Sequence, residues 1–116
     1  MSRHLDDDVL INDEGWLVAN VTGSSGHSRN WKAYWLRDSG RGWPAVCQIK
    51  GCGGMAEVGG HMYIKGMRSH YNFILPICYS CNNDRRLDWN GPYTEWAPAK
   101  TNALFVPVKA SDCTYE

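Results

Sequence analysis

CQIKGC at residues 47–52 and CYSCNN at residues 78–83 enclose the stretch whose reading decides the fold. Cys47 pairs with Cys52 and Cys78 with Cys81, each pair on one short turn. Such spacings let two sulfurs reach one ion at about 2.3 Å, and two turns of this kind complete a tetrahedron. Gly51, Gly53 and Gly54 suit a backbone that must fold around sulfur and take up positive φ. Cys78 and Cys81 fall at the start of a predicted helix, whose positive end favours thiolates. Four thiolates leave no open coordination position, so the expected Zn2+ is structural. A tetra-cysteine iron site is the nearest alternative metal, and a chain without redox signatures favours zinc. Disulfides need an oxidising compartment. The start, MSRHLDDDVL, is acidic and lacks the apolar segment of a secretory leader, so a cytoplasmic location is expected.

Between the cysteine pairs, EVGGHMYIKG and HYNFILPI have the length and residue types of two strands, with Gly66 to Ser69 as their connection. The order knuckle, hairpin, helix is a treble clef. Upstream, residues 9–22 read as a β-hairpin: Val9, Leu10 and Ile11, a turn at Asn12–Gly15, then Trp16–Thr22. Residues 23–28 read as a loop. Ser28 suits the cap of a helix over residues 29–38 that Gly40 ends. Trp31 and Trp35 lie on one face of that helix, beside Tyr34. Burial against the zinc module is favoured over stacking on nucleic-acid bases, because an amphipathic helix must bury its apolar stripe. Downstream, NNDRRLDW reads as a short helix and residues 90–102 as a loop. ALFVPV reads as a final strand, placed at a sheet edge by Pro107.

The length sets one domain, 1–116, with a zinc core at 47–88 and a flexible acidic tail at 1–8. Six Trp and six Tyr suggest a small core built on large rings. The apolar runs are too short to cross a membrane. Net charge is zero, but its distribution is uneven. Residues 1–14 carry five acids against Arg3, and residues 29–86 carry nine bases against three acids. That excess of six falls to about four when four thiolates hold one Zn2+. A basic module suits DNA or RNA, and a merely solvated surface accounts for the same count.

The run from Cys47 to Leu87, with GGHM at 59–62 and FILPICYSCNN at 73–83, resembles the zinc-containing HNH, or His-Me finger, nuclease family. It is also similar to small uncharacterised bacterial and phage proteins carrying C-x4-C, GGH-like and C-x2-C-N elements. The resemblance covers about a third of the chain. It implies an α+β protein with a treble-clef, HNH-like core, an N-terminal β-hairpin and short helices. It places His61 at the general base, Asn82 at a metal-binding position and Asn72 near the residue that orients the base, with a divalent cation such as Mg2+. Where the family carries an acidic or histidine ligand, this chain has Gly60, with Asp84 as a substitute ligand. Lys65, Arg68, Arg85 and Arg86 are the expected phosphate contacts.

The function implied is nucleic-acid binding, with weak or degenerate metal-dependent nuclease activity. A different class stands beside it: a non-catalytic, zinc-stapled protein-interaction factor, such as a small phage-type inhibitor or adaptor of a host protein machine. His4, His27 and His70 read as ordinary surface histidines. Cys113 reads first as a buried packing residue, with a replacement ligand or a reactive thiol as alternatives.

Overall fold

Phe73–Ile77 and Leu104–Val108 are apolar at every position, and such unalternating runs leave water only if both faces of the strand are covered. They lie in β4 (Tyr71–Ile77) and β6 (Leu104–Lys109) of an antiparallel sheet. The structure, a computed structural model, describes residues 9–12, 15–21, 30–67 and 71–109. The other strands among these residues are β1 (Leu10–Ile11), β2 (Leu17–Asn20), β3 (Val58–Ile64) and β5 (Ala97–Pro98), in the order β1-β6-β4-β3-β2-β5. Two helices, α1 (Trp31–Ser39) and α2 (Tyr79–Asn82), and 3-10 turns at Arg85–Leu87 and Gly91–Tyr93 complete these elements. The acidic tail, the 23–28 loop, Ser28, Arg68, the three other histidines and Cys113 lie outside the described residues.

The fold is α+β, as expected, and knuckle, β3–β4 hairpin and helix follow one another in the expected order. The N-terminal hairpin is not formed. Leu10 and Ile11 pair with Phe105 and Leu104 of β6, whereas β2 pairs with β3 and β5. The turn expected at Asn12–Gly15 begins instead with a buried anchor. Asn12 is fully buried, and its amide nitrogen donates to Ala99 O at 3.1 Å and Lys100 O at 2.8 Å. Its Oδ1 accepts from Trp16 N at 2.9 Å, and its backbone N–H donates to Ala103 O at 2.8 Å. These bonds hold the segment between β1 and β2 against the segment between β5 and β6, so the two ends of the sheet are drawn together and the sheet curls.

Inside the curl lie Val18, Met62, Ile64, Phe73, Leu75, Ile77 and Phe105, with Cys47 and Cys78 in the same cluster. On the outer face, α1 lays Trp31 and Trp35 on Ile74, Leu104, Val106 and Val108. The tryptophan pair is buried as expected, against β3 and β4 of the 47–88 module and against β6 beside them. Trp35 Nε1 donates to Leu104 O at 3.1 Å, so the ring's polar edge is satisfied as well. The helix is capped by Asn30, whose side chain accepts from Ala33 N at 3.0 Å, and Gly40 ends it in the left-handed conformation. Its N-terminus crosses Gly59, where a Cβ would stand 2.9 Å from the Trp31 carbonyl carbon. Close approach of helix to sheet therefore requires glycine there.

The edge position expected for β6 is also corrected, because β6 lies between β1 and β4. The two-residue β1 covers only Leu104 and Phe105, and Pro107 faces Phe73 of β4. Among the described residues no β1 partner stands opposite Pro107, so its missing N–H breaks no ladder bond there and proline is tolerated in an interior strand.

Asn12→Ala removes three side-chain hydrogen bonds and leaves buried backbone groups unpaired. It is expected to cost about 2–4 kcal/mol, read as a lower urea midpoint at unchanged slope.

Candidate metal centre

Cys47 and Cys52 are set on a ribbon folded back on itself. Cys47 N donates to Gly54 O at 2.8 Å, Cys52 N to Ile49 O at 3.1 Å, and Ala56 N to Ala45 O at 3.0 Å. Gly51, at φ +83°, makes the turn. The ribbon is pinned to the sheet by Gln48 N on Pro76 O and Lys50 N on Pro98 O, both at 2.9 Å. Cys78 follows directly on β4 and caps α2, its sulfur accepting from Cys81 N at 3.4 Å. Glu57 Oε1 accepts from Tyr79 N at 3.1 Å and occupies another amide of that short helix.

These elements bring all four sulfurs within 4.8 Å of one another. Cys47–Cys81 is 3.8 Å, Cys52–Cys78 3.7 Å and Cys52–Cys81 3.9 Å. A tetrahedron with Zn–S bonds of about 2.3 Å has edges of about 3.8 Å. A disulfide would draw two sulfurs to about 2.05 Å. The arrangement therefore fits one metal ion, and zinc is the ion that an all-thiolate tetrahedron suits best. Gly54 lines the cluster so closely that a Cβ there would stand 3.3 Å from Cys78 Cβ and 3.4 Å from its sulfur.

The electrostatics agree with a site that needs a cation. Burial pushes the Cys47 thiol up. Burial, with the charge of Cys47 next in weight, pushes Cys81 up further. Cys52 is lowered, chiefly by the Gly54 N–H. Filling the site with an ion therefore means displacing protons from these two raised thiols.

The residues that the HNH resemblance brought together fall on three elements, β3, β4 and α2. His61 is 3% exposed on the α1-facing side of β3, its ring 4.4 Å from that of Trp31 in an edge-on contact. Asn72, 4% exposed, lies on β4. Asn82 ends α2, and its Oδ1 lies 3.5 Å from the place a Cβ on Gly60 would take. Neighbouring residues of a strand face opposite sides, so Asn82 looks toward position 60 and not toward His61. The space before Gly60 is already filled: a Cβ there would be 2.4 Å from Ile77 Cδ1. Asp84 is engaged by Arg86, with Nη2–Oδ2 3.1 Å, and Arg86 chiefly holds its carboxyl below the ordinary value. Lys65 and Arg85 are exposed.

Two residues of this region gave no signal in the sequence. Asn20, at the end of β2, donates from Nδ2 to Cys81 O at 2.9 Å and, at 3.5 Å, to Asn82 O. It satisfies carbonyls that a one-turn helix leaves open. Ile77 read only as strand propensity. A polar residue ending an apolar strand is the sole trace that Asn20 leaves. No protein-family model matches the chain, and neither a curated protein nor a solved structure does. No helix of the described residues is long and apolar enough to cross a membrane.

The purified protein should carry one zinc per chain, and strong chelation or Cys78→Ser should remove it with loss of several kcal/mol of stability. Chelator competition should show zinc affinity rising with pH by at least about a hundredfold per unit, because Cys47 and Cys81 each surrender a proton on binding. Gly60→Ala should destabilise by about 1–3 kcal/mol, since Ile77 is fully buried and has little room to turn. Adding Ile77→Val, which deletes Cδ1, should recover part of that loss in the same denaturation assay.

Proposed function

We propose that this chain is a metal-stapled, treble-clef module of HNH type that binds nucleic acid and does not cleave it. The observation that carries the reading is Ile77. In the resemblance, positions 60 and 82 share a catalytic cation. Asn82 Oδ1 does point at position 60, but Gly60 offers no ligand and Ile77 Cδ1 fills the space between strand and helix. A general base must also meet the attacking water, and His61 is buried beneath Trp31. His61 then serves packing of α1 on β3, and the four-cysteine site serves stability.

Nucleic acid as the partner is supported by the excess of bases over acids in residues 29–86 and by exposed Lys65 and Arg85. A second reading, the protein-interaction factor, draws on the knuckle ribbon. There Val46 and Met55 pair across the ribbon at 40% and 69% exposure, an apolar pair that fits a protein surface.

Labelled DNA and RNA oligonucleotides with Mg2+ or Mn2+ test the proposal. The expected outcome is binding that weakens steeply with salt, as counterion release requires, with no cleavage and no effect of His61→Ala. Cleavage abolished by His61→Ala would overturn the non-catalytic reading. Absence of binding at low salt, with one stable protein partner whose capture needs Met55, would favour the second.

A further inference from the structure

The outer face of the sheet is shared between two coverings. Residues 59 and 61 of β3 face α1 through Trp31. Tyr63 continues the same face by the period of two, and Lys65 follows directly on the end of the strand. Among the described residues, α1 packs chiefly on β3, β4 and β6. The β2 end of this face carries rings instead. Tyr63 is paired across the ladder with Ala19, whose small side chain leaves the space above it to larger neighbours. Beyond Ala19, the segment after the 3-10 turn at Arg85–Leu87 joins the end of β2, with Trp89 N donating to Asn20 O at 2.9 Å. This brings the Trp89 ring to 6.0 Å from Tyr63, edge to face. Lys65 Nζ stands 5.9 Å from the Trp96 ring. Tyr63, Trp89 and Tyr93 are 36%, 48% and 79% exposed.

Burial explains most tryptophans in this chain, but not this group. Trp31 and Trp35 close the second core, and Trp43 donates its indole N–H to Ala56 O at 2.8 Å. Trp89 keeps about half of its surface in water on a residue with much apolar area to hide. Around it the charge is arranged unequally. Arg86 is neutralised by Asp84, whereas Lys65 and Arg85 are exposed and make no ion pair with the described residues. Rings with open surface, and cations that make no ion pair with the described residues, match a chain of bases on a phosphate backbone. The rings offer stacking surfaces that any base can use, and the cations meet phosphate. A paired duplex keeps its base faces stacked inside and offers the rings nothing.

We infer that Tyr63 and Trp89 form a stacking platform for unpaired bases of a single-stranded nucleic acid, with Lys65 and Arg85 as phosphate contacts. This rests on the nucleic-acid reading above and adds the strand form and the face. The platform lies on the outer face of β3 at its β2 end, whereas position 60 faces Ile77 on the inner side.

The test is fluorescence anisotropy of a labelled single-stranded oligonucleotide and of the same sequence as a duplex, with the zinc-loaded full chain. The expected result is preference for the single strand, weakened roughly tenfold by Trp89→Ala or Tyr63→Ala. Trp89→Phe, which keeps a ring, should restore most of the affinity, and this separates stacking from loss of fold. Lys65→Gln should lower the salt slope by about one. Zinc content and the urea midpoint of each variant report its integrity. Binding of duplex and single strand alike, unchanged in Trp89→Ala, would overturn the platform and leave nucleic-acid binding standing. Binding of neither form at low salt would overturn both.

Discussion

Four sulfur atoms within 4.8 Å of one another, three of the pairs under 4 Å, are a poor arrangement without a cation. As thiols they make weak hydrogen bonds in a partly dry place, and as thiolates they repel. One divalent ion turns both costs into binding energy, and because the site exists only in the folded chain, that energy is folding energy. Cys47 and Cys78 belong to the same buried cluster as Phe73, Ile77 and Phe105. The metal site is thus one wall of the core. It fixes the ribbon at 45–56 to the end of β4 and sets where α2 begins. Everything that approaches β3 from that side, Asn20 and Asn82 included, takes its position from this corner.

β3 shows how one strand meets several demands through its alternation. Gly59 admits the start of α1, Gly60 admits Ile77, and His61 packs under Trp31. Met62 and Ile64 fill the curl, while Tyr63 reaches the open end of the outer face and Lys65 follows directly on the strand. The two glycines resemble a loop signal in the sequence, yet they sit inside a regular ladder pairing Gly59 with Pro76 and Gly60 with Leu75. Each is required by what packs against it. The same crowding before Gly60 favours a binding module over a nuclease, because a side chain able to ligate a cation there would have to displace a fully buried isoleucine.

The acidic and basic halves of the chain give a net charge of zero, so global electrostatics cannot select a partner. Local arrangement must do so. Arg86 folds back on Asp84, and Arg37 on Asp38, with Nε–Oδ1 distances or their equivalents near 3 Å. Exposed pairs of this kind contribute little to stability, but they remove their cations from the count available to a ligand. Lys65 and Arg85 are therefore weightier than the totals suggest.

The four-cysteine cluster was legible in the sequence because its information is local: Cys-x4-Cys and Cys-x2-Cys each place two sulfurs on one turn whatever surrounds them. The β3–β4 hairpin, the α1 stripe and its end at Gly40 were legible for the same reason, being matters of neighbouring residues and their periodicity. Strand order was not. Asn12 carries every mark of a turn residue, and only the carbonyls of Ala99 and Lys100, some 87 and 88 positions away, make it a buried anchor instead. The place of Pro107 likewise depended on β1, which among the described residues pairs only Leu104 and Phe105 of β6. The burial of His61 and the filling of the space before Gly60 were decided by Trp31 and Ile77, which approach from other elements. Spacing along the chain can nominate ligands for one turn, but it cannot report what a folded sheet lays across them.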